Sequence, residues 1–283
     1  MNTLESTHTH PPEPFYLSVL EQELRLGRLA TSDKILVTCG GNRDRLALLA
    51  AGFTDVVITN LAPHHGHADY HPYSWEYQDI ESLTYEDGAF DVVIVHSGLH
   101  HCYNPIRALG ELYRVARKQM IAFEPYETWF TRLGAFLGYG QEFEDLAVHT
   151  FGGLSGGVAN TEIPNLVYRF NEREVRKFAR AFRPWGESPI RFYRALRMNI
   201  DRFRLHGSWL LRTSFKLAYP IITVLARVFK PLNNNLCFVI QVPEPANYHP
   251  WIRESGGKPR VDPEYLQAKY GKFPCQPRSD AGL

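Results

Sequence analysis

The sequence has few cysteines, almost no net charge and no long apolar run. Its 283 residues hold four cysteines, Cys39, Cys102, Cys237 and Cys275, far apart and without a CxxC pair. That spacing suits neither a zinc ribbon nor a disulfide framework, and a reducing, cytoplasmic setting is expected. Lys and Arg number 31 and Asp and Glu 30, a formal charge of +1, so there is no electrostatic case for a nucleic-acid partner. No charged segment followed by an apolar core opens the sequence, and no signal peptide is expected. The longest apolar run, Leu217 to Ala226, contains Pro220 and is too short to span a bilayer, which argues against stable membrane insertion.

What the sequence does have is a succession of short apolar runs separated by helical patterns. The clearest lies between Lys34 and Asn60. Ile35 to Val37 has the length of a buried strand and breaks into Cys39, Gly40, Gly41 and Asn42. A helical pattern follows, with Leu46, Leu49 and Ala50 on one face, and Gly52 stands where a C-cap glycine belongs. Val56, Val57 and Ile58 form a second run that ends at Asn60. Strand, glycine turn, helix and strand make one βαβ unit, which crosses over right-handed into a parallel sheet. Glycines after the first strand let a ligand approach the backbone, and the following helix N-terminus presents unpaired N–H groups. A polar residue closing the second strand, about 20 residues on, is placed to meet a ribose. Asn60 has that position.

The pattern continues on both sides. Phe15 to Leu29 reads as a helix with Leu17, Leu20, Leu24 and Leu29 on one face, packed over a sheet edge. Trp75 to Gln78 is a third strand, ending at Asp79, Ile80 and Glu81, and Phe90 to Val95 is a strongly β-prone fourth. The fourth runs into His96, Ser97, Gly98, Leu99, His100 and His101. Asn104 and Pro105 form an N-cap and first helical residue. Ile106, Leu109, Leu112 and Ala116 give that helix its buried face, with Arg114, Arg117 and Lys118 at its C-terminal end. Met120 to Phe123 is a fifth strand ending at Glu124 and Pro125. Five strands with alternating helices predict an α/β, doubly wound sheet, whose ligands lie outside the carboxyl ends of the strands. The candidate site is therefore Cys39, Gly40, Gly41, Asn42, Asn60, Asp79, His96, Ser97 and Glu124. His100 and His101 titrate near neutrality and follow the central strand, which makes them the acid–base candidates; the alternative is that one packs on the helix and the other faces solvent.

His64, His65, His67 and His71 sit in a loop marked by Gly, Pro and Asp. No carboxylate or cysteine lies at a ligand spacing, so no metal site is expected there. The loop follows the ribose position and could cover a ligand.

The segment LTYEDGAFDVVIVHSGLHHCYNPIRALGELYRVARKQMIAFEP joins an acidic turn, a Phe-Asp strand, Leu-His-His, a helix with Arg-Val near its end, and a strand ending in Glu-Pro. In this it resembles the class I S-adenosylmethionine-dependent methyltransferases of the small-molecule "methyltransferase type 11" kind, over about residues 30–125. The resemblance implies a Rossmann-like seven-stranded sheet, S-adenosylmethionine as cofactor and methyl transfer as the reaction. It also implies that Asp79 accepts from the adenine amino group, that Ile80 packs on the ring, and that His96 and Ser97 lie near the methionine part. The chain departs from the family at the first motif. Of the usual G-x-G-x-G only Gly41 falls in register, Val37 stands where an acidic residue is usual, and Asn60 replaces the usual Asp or Glu, which removes a charge-assisted bond. Those departures motivate two alternatives: a non-catalytic scaffold of the same fold, or a cofactor-binding enzyme that runs a reaction other than methylation.

Residues 126–183 depart from the core pattern. Trp129, Phe130 and Phe136 lie on a glycine-containing stretch, Glu142, Glu144, Asp145 and His149 follow, and FGGLSGGVANTEIPN reads as a loop able to close. In the family an insertion here shapes the acceptor pocket, so Glu124, Trp129 and His149 are the expected acceptor contacts. Asn171 to Glu174 is a capping-box pattern that starts a helix to about Phe182. Ile190 to Leu196 and Asn235 to Val242 read as the sixth and seventh strands, the seventh antiparallel in this fold. Between them, in residues 198–231, Arg204, Ser208, Arg212 and Lys216 line one helical face while Trp209, Phe215 and Tyr219 occupy others. Such a helix can lie on a membrane surface or cover the sheet or an acceptor pocket; its many apolar residues favour packing. The expected organisation is a tail at 1–14, a methyltransferase domain at 15–245 with insertions at 126–183 and 198–231, and an extension at 246–283 with a short helix from Tyr265 to Tyr270. The expected function is methyl transfer to an oxygen, nitrogen or carbon of a small organic acceptor, partly apolar or a sugar stacked on aromatic rings.

Overall fold

The computed structural model describes residues 12–62, 67–136, 140–197 and 209–271, with backbone only at 67, 209–212 and 214–216. His64, His65, Arg204, Ser208 and Cys275 lie outside the described residues, as does most of the expected N-terminal tail. The central strands are β1 (Ile35–Thr38), β2 (Val56–Asn60), β3 (Ser74–Tyr77), β4 (Phe90–His96), β5 (Ala116–Pro125), β6 (Ile190–Ala195) and β7 (Asn235–Gln241). They form one seven-stranded sheet in the order β3-β2-β1-β4-β5-β7-β6. Strands β1 to β5 pair in parallel, and β7 runs antiparallel to both β5 and β6.

The sequence dictates this arrangement through burial on both faces. Every residue of β1 is buried, as is β4 up to its last residue, as continuous apolar strands require when helices cover both sides. Successive side chains point to opposite faces. Leu36, Val93 and Val95 join a core layer with Leu109 and Leu112 of α4 (Pro105–Val115) and Phe178 of α7 (Glu172–Phe182). Ile35, Val37 and Ile94 join the opposite layer with Tyr16 and Leu20 of α1 (Pro14–Arg25) and Leu48 of α2 (Asn42–Ala51). Gly52 caps α2 with a left-handed φ of 83°, and the Asn104 and Asn171 side chains cap α4 and α7.

Several elements differ from expectation for identifiable reasons. The inward face of α2 is Asp44, Ala47 and Leu48, while Leu49 is exposed; a buried carboxylate in the first turn hides this face from an apolar count. On α1 the buried residues are Tyr16, Val19, Leu20 and Glu23. Glu23 is buried because Arg191 of β6 meets it at 2.6 Å, which ties α1 to the sheet edge. Strand β5 begins at Ala116, so Arg117 and Lys118 belong to the strand rather than to the end of α4. They pair with Asp91 at 2.7 Å and Asp33 at 2.6 Å, and these ion pairs sustain a polar strand start that apolar runs do not reveal. The extension contains a hairpin, β8 (Ile252–Ser255) with β9 (Lys258–Val261), before the short α9 (Pro263–Tyr270).

The helix α8 (Trp209–Val228) does not bury the face expected to pack. Leu217, Ile221, Val224, Leu225 and Val228 are all more than half exposed, and only Ala226 of its described side chains is buried. The shorter α5 (Trp129–Phe136) has no buried residue. Among the described residues no helix is long and apolar enough to cross a membrane.

Candidate functional site

The strand order reverses between β1 and β4, and this topological switch point is where a doubly wound sheet opens a crevice at its carboxyl ends. The chain is tightly wound there. Cys39 and Ser97, the residues after β1 and β4, both take positive φ, 51° and 56°, a region that costs energy for residues with a side chain and concentrates at functional sites. A Cβ on Gly98 would lie 2.6 Å from Cys39 Cβ, so the two turns touch. A Cβ on Gly40 would lie 2.7 Å from Ile58 Cγ2, so this glycine serves strand packing. Gly41 differs: a Cβ there would meet nothing within 4 Å. Its N–H donates to Asp44 Oδ2 at 2.9 Å, while Asn42 and the exposed Cys39 rim the same turn.

Of the expected contacts from β2 and β3, Asp79 is exposed; its Oδ1 accepts from the Glu81 N–H at 2.9 Å, and Oδ2 makes no hydrogen bond among the described residues. Asn60 is committed inside the fold. Its Nδ2 donates to Gly40 O and Tyr70 Oη, and its Oδ1 accepts from Ala62 N–H and Trp75 Nε1. A side-chain amide has two donors and one oxygen with two lone pairs, so all four are used, and Asn60 holds the turn in place. Ile80 is buried in the core layer beneath α4. His96 packs on Tyr16, with ring centroids 4.8 Å apart, and on Phe123, on the α1 side of the sheet. Burial pushes its pKa down to about 4, with the charges of Arg197 and Arg43 adding to the effect. Burial likewise pushes Asp44 up to about 7, against the Gly41 N–H bond that favours its charge. The His96–Asp44 contact of 3.7 Å is therefore not a fixed ion pair.

A buried polar cluster lies past β4 and β5. Glu124, closing β5, is buried; one oxygen accepts from the N–H groups of Gly98 and Leu99 at 2.9 and 2.8 Å, and the other meets His100 Nδ1 at 2.6 Å. Glu124 thus positions the Gly98–His100 turn. His100 Nε2 meets Glu144 Oε2 at 3.2 Å, and His101 Nε2 meets the same oxygen at 3.5 Å. Burial opposes a charge on His100, but Glu124 and then Glu144 outweigh it and raise its pKa to about 9. Burial works against Glu144 too, and His100 overrides it, holding the carboxyl down to about 2. Burial and the neighbouring His100 lower His101. Of the two histidines, His100 is buried between carboxylates and His101 is about a quarter exposed. Asn165 closes the cluster: its Nδ2 donates to His100 O, and its backbone carbonyl accepts from the Glu144 N–H. A cavity of about 280 Å³ adjoins it, lined by His100, Tyr103, Val158, Asn165, Leu166 and Tyr168 among others.

Neither Trp129 nor His149 lines that cavity. Trp129 is exposed beside Phe229, and His149 is exposed in the last turn of α6 (Asp145–Thr150). The residues the sequence did not single out are Asp44, Glu144 and Asn165. Glu144 appears there only as one acid among Glu142, Glu144 and Asp145; its partners lie more than 40 positions away, beyond the reach of local spacing.

S-adenosylmethionine fits this arrangement at two places. The β1 turn leaves Gly41 open to a ligand beside the α2 N-terminus, and Asp79 offers an unused carboxylate oxygen at the end of β3. Asn60 supports the turn from behind.

The methyltransferase-domain family matches residues 35–123. No curated protein matches the chain by sequence. Among solved structures, the YcgJ protein of Bacillus subtilis is 11% identical, with 82% of this chain and 100% of that chain covered and a TM-score of 0.50. Magnesium protoporphyrin IX methyltransferase of Synechocystis PCC 6803 is 13% identical, with coverage of 81% and 82% and a TM-score of 0.46. A SAM-dependent methyltransferase of Methanosarcina mazei is 15% identical, with coverage of 78% and 98% and a TM-score of 0.44. The seven-stranded sheet, whose last strand in sequence is antiparallel, has the Rossmann-like methyltransferase fold, and residues 35–123, which hold β1 through β5 but for the last two residues of β5, form a methyltransferase domain.

Proposed function

We propose that the chain transfers the methyl group of S-adenosylmethionine to an oxygen, nitrogen or carbon of a small organic acceptor, and that it does so at the carboxyl ends of β1, β3 and β4. The observation that carries this reading is the contact of the Cys39 and Gly98 turns at the switch point, beside an exposed Asp79 and an acceptor-sized cavity that reaches His100. Bound S-adenosylmethionine supplies an electrophilic methyl on a sulfonium. The chain's part is to hold and orient. Gly41 leaves room for close approach and Asn42 presents its backbone N–H at the α2 N-terminus, Asp79 accepts from the adenine amino group, and Cys39 and Ser97 line the methionine end.

On the acceptor side, His100 lines the cavity, Glu124 fixes its turn, and His101 stands beside it about a quarter exposed. Methyl transfer is an in-line displacement, for which positioning alone supplies much of the rate. The aromatic lining by Tyr103 and Tyr168 suits a ring or a sugar face. The reading is tested by acceptor-dependent formation of S-adenosylhomocysteine across phenolic, amine and sugar acceptors, with product mass gained by one methyl group. Formation with one acceptor class is expected. No turnover with any class, in protein that binds the cofactor, would favour a non-catalytic role; product of unchanged mass would favour a different reaction.

A further inference from the structure

We propose that His100, His101 and Glu144 form a binding site for a first-row divalent cation, Zn2+ being the leading choice. The three residues offer ligand atoms that lie within 4.8 Å of one another, and the groups behind them set the tautomers. His100 Nδ1 faces the Glu124 carboxylate at 2.6 Å, and His101 Nδ1 faces the Gly157 carbonyl at 3.3 Å. Both partners only accept, so each Nδ1 carries a proton, and each Nε2 is the atom left to bind a cation, which on His100 displaces the proton shared with Glu144. Both Nε2 atoms then converge on Glu144 Oε2, at 3.2 and 3.5 Å. Carboxylate and carbonyl partners on the far nitrogen are how metal-binding histidines are held.

The two edges on Glu144 match a coordination shell, and the third lies within 4.8 Å. Ligands about 2.1 Å from a tetrahedral centre are about 3.4 Å apart, and the two measured edges bracket that value. Protons satisfy the cluster less completely. A proton on His100 Nε2 bridges one edge; the His101–Glu144 edge then needs a second charged ring 4.5 Å from the first, centroid to centroid. A single dication serves both edges. Two imidazoles and one carboxylate suit Zn2+ or Fe2+ better than Mg2+ or Ca2+, which take oxygen ligands. Three protein ligands, two of them about a quarter exposed, leave a coordination position for an outside oxygen, as at catalytic rather than structural sites. The Gly157 acceptor is held rigidly, since a Cβ there would lie 1.9 Å from the Ile163 carbonyl oxygen. If the methyl-transfer reading holds, the open position would take an acceptor hydroxyl; cation binding itself does not depend on that reading.

The test is calorimetric titration of the full chain with Zn2+ in a non-chelating buffer, with visible absorption of the Co2+-loaded protein as a second readout. One equivalent is expected to bind. His101→Ala and Glu144→Gln are each expected to weaken binding by about 100-fold or more and to abolish the Co2+ bands, with Glu124→Gln costing about 10–100-fold through its histidine. Thermal melting confirms that each variant is folded, and retained S-adenosylmethionine binding separates failure here from failure of the methyl-transfer reading. Absence of stoichiometric binding overturns the proposal. So does binding that survives both substitutions but is lost in a His64→Ala/His65→Ala variant.

A separate observation carries a second inference: the structure assigns the apolar face of α8 to the surface of an anionic bilayer. Leu217, Ile221, Val224, Leu225 and Val228 fall at helical spacing on one exposed stripe, and Phe229 meets exposed Trp129 of α5 at 6.4 Å between ring centroids. From Arg197 to Lys230 the sequence holds Arg197, Arg202, Arg204, Arg212, Lys216, Arg227 and Lys230 against the single acidic Asp201, the charge pattern that draws a surface helix to anionic lipid. Co-sedimentation with vesicles of phosphatidylserine and phosphatidylcholine is expected to exceed that with phosphatidylcholine alone, and Ile221→Asp with Leu225→Asp is expected to abolish it. No vesicle binding, binding unaffected by the substitutions, or a concentration-dependent dimer that the same substitutions dissolve would each overturn the assignment.

Discussion

A methyl group added at Gly98 would press on Cys39 at 2.6 Å, at the point where both turns already carry positive φ at a non-glycine residue. Overpacking of this kind costs about 1–3 kcal/mol. Gly98→Ala is therefore expected to lower the melting temperature, and Cys39→Gly in the same chain to restore part of the loss, the contact with Val95 Cγ2 at 2.8 Å remaining. An unchanged melting temperature would mean that the two turns are not in contact. Asp44 gives a second residue-level expectation. Its pKa is raised, so the folded state holds a proton that the unfolded state has released. Its unfavourable contribution is absent below the unfolded value near 4 and complete above about 7. Between those limits stability falls by about 1.4 kcal/mol per pH unit from this group. Asp44→Asn keeps an oxygen for the Gly41 N–H, and chemical denaturation should find it more stable than the parent at pH 8, the gap closing toward pH 4. A gap independent of pH would contradict the assignment.

At the level of elements, α4 and α8 behave oppositely although both are amphipathic. Leu109 and Leu112 of α4 are fully buried against β4 and β5, so Leu109→Ala should cost about 2–5 kcal/mol. Leu217→Ala on α8 should change stability by less than about 0.5 kcal/mol, because that side chain is 73% exposed. Denaturant titration of the two variants checks both values, and equal losses would show that α8 packs. The difference also marks what local pattern conveys. Apolar periodicity located α4 and the strands, because β1 and β4 are buried on both faces and read as unbroken apolar runs. It misjudged α8, since a stripe of apolar residues records amphipathicity and not what covers it. It misplaced the inward face of α2, where Asp44 turns in, and the start of β5, where Arg117 and Lys118 are neutralised by Asp91 and Asp33 from other strands and loops.

For the whole molecule, the sheet order explains why residues far apart in sequence meet. Reversal between β1 and β4 brings the Cys39 turn to Gly98, and the β5 end brings Glu124 beneath His100. The strand-end rule named residues that the fold does bring near one another, whereas their contacts depended on tertiary structure. Asn60 and Glu124 are polar at strand ends as expected, yet their hydrogen-bonding groups are taken up within the fold. Glu144 and Asn165 join the cluster only through the segment that follows β5. The central claim is that the switch-point crevice holds S-adenosylmethionine through the Gly41 turn and Asp79. Calorimetric titration with S-adenosylmethionine, on the parent chain and on Asp79→Ala, tests it most directly. One site per chain, weakened at least about tenfold by the substitution while the melting temperature stays unchanged, is the result this account expects; a loss of about 1.4 kcal/mol of binding free energy corresponds to that factor. Binding of undiminished affinity in Asp79→Ala, or no binding to the folded parent chain, would contradict it.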